Sequence, residues 1–350
     1  MASNHPELTE RERQILEAVI RFYVESAEPA GSRTISRRFT LGVSPATIRN
    51  TMSDLEEKGF LFHPHTSAGR IPTDKAYRVY VDELMRVRPL ETADRFTLAQ
   101  EISAGGSAIE SILRRAAQSL GVLTQELGVA LGPRMEQAIL EKLELVRLTS
   151  EKLILVLSLR GGAVRTIFIE VPGEIADNAL LEVQVVLNER LAGLSLGEIR
   201  TSLGSRLRDI TTGTGSTELL NIFLQEGDAL FDVPSPDDAQ AVVLGQASLL
   251  ADKPEFATGE RMRRLIEMTE TRAELATLLR SRSSATGVSI SIGSENGSAI
   301  PGGLTVVTAE YHAGGLSGVI GVIGPTRMSY EKVIALVTHT SSLVTDLLAQ

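Results

Sequence analysis

Residues 32–72 constrain the fold of this 350-residue chain more than any other segment. Ser44 and Pro45 begin a predicted helix that runs to Lys58, and Gly59 follows it directly. The apolar residues of this helix share one face: Ile48, Met52 and Leu55. Serine is a good N-cap, proline is tolerated in the first turn, and glycine is the usual residue just past a helix end. The segment therefore predicts a short amphipathic helix with both ends marked.

Two further helices are predicted before this one. Thr9 and Glu12 form the pattern of a capping box, and the helix that they open ends near Pro29, since the residue before a proline avoids helical geometry. A second short helix starts at Ser32, and residues 41–43 supply a tight turn. Three helices of these lengths with such a turn are typical of a helix-turn-helix, whose last helix enters the major groove of DNA.

A hairpin is predicted after the third helix. Residues 60–62 are strand-like, residues 63–70 form a polar loop, and residues 71–72 close the segment. A hairpin in this position makes the fold a winged helix-turn-helix, and its polar tip can contact phosphate or the minor groove. A plain surface hairpin without a DNA contact is the alternative.

The expected DNA contacts lie on the surface of these helices and at the tip of the wing. The third helix turns small and amide side chains outward, which suits close approach to base edges and phosphates. Asparagine pairs well with adenine and arginine with guanine, and cations near the second helix suit phosphates. The predicted contacts are Arg33, Thr34, Arg37, Ser44, Ala46, Thr47, Arg49, Asn50, His65, Thr66, Ser67 and Arg70. Alternatively, Arg37 and Arg38 form only a solvated helix face.

The distribution of charge supports a DNA contact, although the whole chain carries a net charge of −9. Between Ser32 and Tyr80, eight cationic and four acidic side chains give +4, which leaves −13 on the rest of the chain. A basic segment in an acidic protein is a modest electrostatic footprint for DNA. The acidic remainder is expected to stay off the phosphate backbone.

After the winged helix-turn-helix and its connecting helix, assigned to residues 1–88, the chain is predicted to form an α+β body. The polar segment 89–106 favours an interdomain linker. Two blocks of predicted strands, within residues 107–172 and 285–350, flank a mainly helical stretch at 173–284. This order indicates a multidomain α+β protein in which one domain carries a helical insertion.

Several classes of protein are excluded by features that the sequence lacks. Without cysteine there is no disulfide, thiolate metal site or cysteine nucleophile, which fits a reducing cytoplasm. The five histidines lack metal-ligand spacing, and neither a phosphate-binding loop nor a nucleophile elbow occurs. The longest apolar runs are too short to span a bilayer, and the N-terminus lacks a signal-peptide core. We therefore expect a cytoplasmic protein that is not an enzyme and has no cofactor, metal or membrane contact.

Several stretches of the chain resemble the HrcA family, the heat-inducible transcription repressors of bacteria. The most specific are HTSAGRIPTDKAYRVYVD, which spans the wing and the following helix, and IGPTRM near the C-terminus. The others are LTERERQILEAVIRFYVESAEPAGSRTIS at the start, VSPATIRNTMSDLEEKGFLFHP before the wing, and SISIGSEN in the second strand block. The resemblance extends over essentially the whole chain.

The resemblance implies an N-terminal winged helix, a GAF-like α/β domain and a dimerising segment inserted into that domain. It implies a homodimer that binds an inverted-repeat operator of chaperonin and DnaK-type genes, since a twofold dimer presents two recognition helices to a symmetric site. A GroEL-type chaperonin is the implied partner that keeps the repressor active, so that heat-damaged proteins relieve repression by occupying it. The alternative is a winged-helix regulator whose GAF-like domain senses a metabolite, although fold analogy supports it only weakly and no small-molecule ligand is expected.

Overall fold

A computed structural model of the chain describes residues 8–64, 69–87, 89–104, 109–160, 164–173, 175–208, 214–231, 241–282, 287–297, 300–313 and 316–349. Its first elements are α1 (Glu10–Ser26), α2 (Ser32–Arg38), α3 (Pro45–Glu57), β1 (Leu61–Phe62) and β2 (Ile71–Pro72). The two strands pair antiparallel, with Leu61 opposite Pro72 and Phe62 opposite Ile71. The predicted winged helix-turn-helix is confirmed.

Local sequence explains where these helices begin and end. At the start of α1, Glu12 N donates to Oγ1 of Thr9 over 3.3 Å, and Thr9 N donates to the Glu12 carboxylate over 2.8 Å. This is the predicted capping box. At α3, Ser44 caps the helix, Pro45 occupies the first turn, and Gly59 beyond the helix has a φ of 77°. The core of the unit consists of buried side chains from all three helices: Ile15, Leu16, Ile20, Ile35, Ile48, Met52 and Leu55.

The segment after the wing is helical rather than a linker. Its elements are α4 (Asp74–Val79), which continues into a π-helical turn (Tyr80–Leu84), and α5 (Thr92–Ser103). Helix α5 corrects the linker predicted at residues 89–106, because Leu98 and Ile102 are fully buried in the core shared with the winged helix. Packing of an apolar face supplies most of the stability of helices in proteins. These buried contacts therefore outweigh the polar composition that favoured a linker.

The rest of the described chain contains eight helices and eight strands. The helices are α6 (Ile109–Thr124), α7 (Asp177–Leu191), α8 (Leu196–Leu207), α9 (Thr214–Leu230), α10 (Ser248–Ala251), α11 (Gly259–Glu270), α12 (Arg272–Arg280) and α13 (Tyr330–Leu348). The strands are β3 (Leu127–Leu131), β4 (Leu140–Arg147), β5 (Lys152–Leu159), β6 (Val164–Glu170), β7 (Val242–Leu244), β8 (Val288–Ile292), β9 (Leu304–Ala313) and β10 (Leu316–Pro325).

A five-stranded antiparallel sheet forms the centre of the body, in the order β7-β3-β10-β9-β8. Helices α6 and α13 cover one face, and α12 packs on the other. Neighbouring strand residues alternate between these faces: Val307 lies in the core beneath α6 and α13, whereas Val306 lies in the core beneath α12. The predicted α+β class is confirmed. The prediction of a GAF-like domain applies to this sheet and stays a prediction.

Strands β4, β5 and β6 form a separate antiparallel sheet that shares its own core with α7, α8 and α9. The chain leaves the five-stranded sheet after Gly132 and returns at Ala241, where Gly132 N donates to Ala241 O over 3.0 Å. The structure therefore divides the body differently from the predicted segments 107–172, 173–284 and 285–350. Strand β5 alternates between buried and partly exposed residues, whereas β3, β9 and β10 are buried along almost their whole length. Which sheet a strand joins depends on pairing between distant segments, which the order of strands along the chain does not reveal.

Candidate nucleic-acid interface

Helix α3 turns a polar face outward, opposite the apolar face that enters the core. Ala46, Arg49 and Asn50 are exposed on this surface. Ser44 caps the helix: its Oγ accepts from Thr47 N over 3.2 Å and lies 3.0 Å from Oγ1 of Thr47. The structure thus brings the five residues predicted at α3 together at the N-terminal end of one helix, where backbone N–H groups favour anions.

Helix α2 adds cations beside this surface. Arg33, Thr34 and Arg37 are exposed, and among the described residues neither arginine forms an ion pair. Arg38 differs, because it pairs with Glu25 and lies over the ring of Phe22, 5.6 Å from the centroid. The alternative of a solvated helix face without a DNA contact therefore suits Arg38, whereas Arg33 and Arg37 have no ion pair among the described residues.

The wing carries the remaining predicted contacts. His65, Thr66 and Ser67 lie outside the described residues. Arg70 lies at the base of the wing, and its side chain is only 13% exposed. Its Nε donates to Oε2 of Glu56 over 3.1 Å. The guanidinium predicted to contact phosphate is thus paired with a carboxylate of α3, and its phosphate contact stays a prediction.

Sequence reasoning missed two residues at the base of the wing, Glu56 and His63. Glu56 follows Ser53 by three residues, so both lie on one side of α3, but this spacing does not reveal that the wing folds back onto them. Burial raises the pKa of Glu56, yet the hydrogen bond from His63 and the charge of Arg70 outweigh it and hold this pKa below its usual value. Glu56 is therefore an anion at neutral pH.

A metal site or a membrane-spanning helix would place specific requirements on the described residues. Within those ranges, no group of three or more His, Asp or Glu side chains is placed to hold a metal ion. In the same part of the chain, no helix is both long and apolar enough to cross a membrane.

Comparison with known proteins assigns the family. A family model described as "Winged helix-turn-helix transcription repressor, HrcA DNA-binding" matches residues 7–84, and "HrcA protein C terminal domain" matches residues 110–334. The chain belongs to the HrcA family. The heat-inducible transcription repressor HrcA of Chlorobium chlorochromatii (strain CaD3) is 39% identical over 351 residues, with 99% of both chains covered. That of Chlorobium phaeobacteroides (strain BS1) is 41% identical over 345 residues, covering 95% of this chain and 96% of the relative.

The HrcA relatives identify the class of function. The HrcA repressor of Geobacter sulfurreducens (strain ATCC 51573 / DSM 12127 / PCA) is 38% identical, with 98% of both chains covered. This chain is accordingly a DNA-binding heat-shock transcription repressor and not an enzyme. A solved structure described as "Crystal structure of a hypothetical protein at 2.2 A resolution" has a TM-score of 0.67 at 22% identity, with 98% of this chain and 99% of that chain covered. It supports the fold alone.

Proposed function

We propose that this HrcA-family chain represses chaperonin and DnaK-type operons in the cytoplasm by binding an inverted-repeat operator as a homodimer. The observation that carries the proposal is the outer surface of α2 and α3. There Arg33, Arg37 and Arg49 have no acidic partner among the described residues, and Asn50 is exposed. Such a surface places α3 in the major groove and neutralises flanking phosphates.

The proposed roles follow from position on this surface. Residues on the outer side of α3 read base edges or nearby phosphates: Ala46, Thr47, Arg49 and Asn50. Residues of α2 and the wing hold phosphates and fix the orientation of α3: Arg33, Thr34, Arg37, His65, Thr66 and Ser67. Ser44 contributes by capping α3 and fixing Thr47.

The contact between two copies is assigned to the outer face of the β4–β5–β6 sheet. Val146 lies opposite Ile154, and Ile154 lies opposite Phe168, so these three side chains form one row across the sheet. Val146 is 47% exposed and Phe168 67%, and Val164, four residues before Phe168 on the same face of β6, is 64% exposed. A contiguous exposed apolar surface marks an interaction site, and a symmetric operator requires a second copy of the chain.

The dimer contact is tested by the mass of the particle in solution. Phe168→Glu places a charge on the most exposed side chain of the apolar row and is expected to convert dimers to monomers in light scattering. Phe96→Glu is the matched control, because Phe96 is 68% exposed but lies on α5 outside the row. A dimer that survives Phe168→Glu contradicts this assignment.

Operator binding is tested by fluorescence anisotropy with an inverted-repeat duplex and a scrambled duplex of the same composition. The parent is expected to prefer the inverted repeat by at least about a thousandfold at physiological salt. A single half-site is expected to bind more weakly, because only one α3 of the dimer then finds its site. Equal affinity for the inverted repeat and the scrambled duplex contradicts the proposed function.

A GroEL-type chaperonin is proposed as the partner that restores active repressor, with heat stress lowering the active fraction. The support is membership in a family whose relatives are named heat-inducible repressors. The test measures operator binding before and after mild heating, with and without chaperonin and ATP. Loss on heating and recovery only with chaperonin and ATP is the expected result, and recovery without chaperonin contradicts it.

A further inference from the structure

One carboxylate holds both arms of the wing against the recognition helix. Oε1 of Glu56 accepts from Nδ1 of His63 over 2.5 Å, and Oε2 accepts from Nε of Arg70 over 3.1 Å. His63 directly follows β1, and Arg70 directly precedes β2. Each oxygen of a single α3 side chain therefore fixes one arm of the hairpin.

The three side chains of Glu56, His63 and Arg70 form a clamp at the base of the wing. Arg70 connects this clamp to the rest of the helix-turn-helix. Its Nη2 lies 3.0 Å from Oε2 of Glu56 and 3.5 Å from Oγ of Ser53. Its backbone N donates to Ala30 O over 3.0 Å, and Ala30 N donates to Arg70 O over 2.8 Å. One residue of the wing is therefore fixed both to α3 and to the segment that leads into α2.

We propose that Glu56 is a positioning residue for DNA binding: by holding His63 and Arg70, it sets the direction of the wing relative to α3. The wing is then directed toward the phosphate backbone while α3 lies in the major groove. The inference rests on the proposed operator contacts of α3 and the wing. It assigns to Arg70 the role of orienting the wing in place of a phosphate contact.

Electrostatics and positioning give opposite expectations for removal of Glu56. A carboxylate beside a DNA-binding surface repels phosphates, so its loss alone would strengthen binding to any DNA. Loss of the clamp instead frees the wing, and ordering the wing again on binding weakens the complex. Glu57 is a matched control, because it is the next residue of α3, is exposed and has no ion pair among the described residues.

The experiment compares Glu56→Ala, Glu57→Ala and Asn50→Ala with the parent in operator titrations, with urea unfolding of each full-length chain. Glu56→Ala is expected to weaken operator binding by about tenfold, and Glu57→Ala to leave it equal or tighter. Hydroxyl-radical footprinting is expected to show that Glu56→Ala loses protection where the wing contacts the duplex and keeps it where α3 binds. Glu56→Gln keeps the shape of the side chain and guards against a folding defect in the alanine variant; it is expected to weaken binding less than Glu56→Ala does.

The possible outcomes distinguish failure of the positioning role of Glu56 from failure of the proposed operator binding. Operator binding by Glu56→Ala that equals or exceeds that of the parent, or an unchanged footprint, overturns the positioning role. If Asn50→Ala lowers operator preference while Glu56→Ala and Glu56→Gln retain full affinity, the proposed function stands and only the positioning role fails. A parent that does not distinguish operator from scrambled DNA contradicts the proposed function, and the positioning role with it.

Discussion

Nε of Arg78 donates to Oε1 of Glu295 over 2.9 Å, which joins two residues that are 217 positions apart in the chain. The same guanidinium donates from Nη2 to the carbonyl oxygen of Ile290 over 2.8 Å. On the same side of α4, the carboxylate of Asp74 accepts from Ser294 N over 2.9 Å. Helix α4, which follows the wing, is therefore fixed to the turn after β8, and the orientation of the winged helix depends on the body.

A second group of contacts joins α1 and the π-helical turn to the start of α13. Arg327 Nη1 donates to the carbonyl oxygen of Val24 over 2.9 Å, and its Nε donates to Glu255 over 2.6 Å. Tyr80 Oη donates to the carboxylate of Glu331. Because Arg78 and Arg327 are both less than one-quarter exposed, these contacts are shielded from solvent more than ordinary surface ion pairs.

The junction at Arg78 is expected to contribute to stability as a coupled pair. Arg78→Ala and Glu295→Ala are each expected to lower the free energy of unfolding by about 1–2 kcal/mol, because each removes the partly buried Arg78–Glu295 ion pair. The double variant should lose less than the two single losses together, as measured by urea unfolding in a double-mutant cycle. Arg86→Ala is the control, since Arg86 is exposed and forms no ion pair with a described residue; additive losses would contradict the coupling.

This junction also shows what the sequence could reveal and what it could not. The capping box at Thr9, the helix start at Ser44 and the turn at Gly59 depend on neighbours within four residues, so each was predictable. Two stretches that carry the HrcA resemblance, TDKAYRVYVD and SISIGSEN, contact each other. Nothing in their spacing predicts that meeting, because the contacts join segments more than two hundred residues apart.

The site shows the same division between local and non-local information. The exposed face of α3 followed from the period of its buried residues, since the opposite side of an amphipathic helix must face solvent. The role of Arg70 could not be predicted, because a free and a paired arginine look alike in sequence. Pairing with Glu56 depends on how the hairpin packs against α3. That packing is determined by contacts between residues that are distant in the sequence.

Asn50 and Arg33 are expected to affect DNA binding in different ways. Asn50→Ala should weaken operator binding by about 1–3 kcal/mol and leave scrambled DNA unaffected, because an amide reads base edges. Arg33→Ala should weaken both duplexes and reduce the slope of log affinity against log salt by about one, because it removes one phosphate contact. Anisotropy titrations at several salt concentrations measure both effects. Equal losses on both duplexes for Asn50→Ala would contradict its role in base reading.

Gly69 is expected to be intolerant of any side chain. A Cβ at this position would lie 2.5 Å from the carbonyl carbon and oxygen of Ala30, whose backbone pairs with Arg70. Gly69→Ala should therefore lower the free energy of unfolding by about 1–3 kcal/mol and loosen the wing. Gly31→Ala is the matched control, because a Cβ there meets only Oγ1 of Thr34 at an ordinary 3.6 Å. Thermal unfolding compares the two, and equal melting temperatures would contradict the close approach.

The last prediction concerns Glu126, a carboxylate that is only 3% exposed and whose Oε1 lies 2.5 Å from Nζ of Lys253. Burial raises the pKa of Glu126 to about 7 from an ordinary 4.5, although Lys253 opposes the shift. The folded chain therefore holds this proton more tightly than the unfolded chain does. The stabilisation is complete below pH 4.5 and is lost as the pH rises toward about 7.

Glu126→Gln removes this titration and should be more stable than the parent above pH 7, by on the order of 2–3 kcal/mol, with the gap closing toward pH 5. Glu255→Gln provides a control of opposite sign. Burial raises the pKa of Glu255, but the hydrogen bond and charge of Arg327 outweigh it and hold this pKa below its usual value. The contribution of Glu255 is therefore present at neutral pH and lost as the pH falls. Urea unfolding from pH 3 to pH 8 measures both variants, and a difference between parent and Glu126→Gln that does not change with pH would contradict the buried titration.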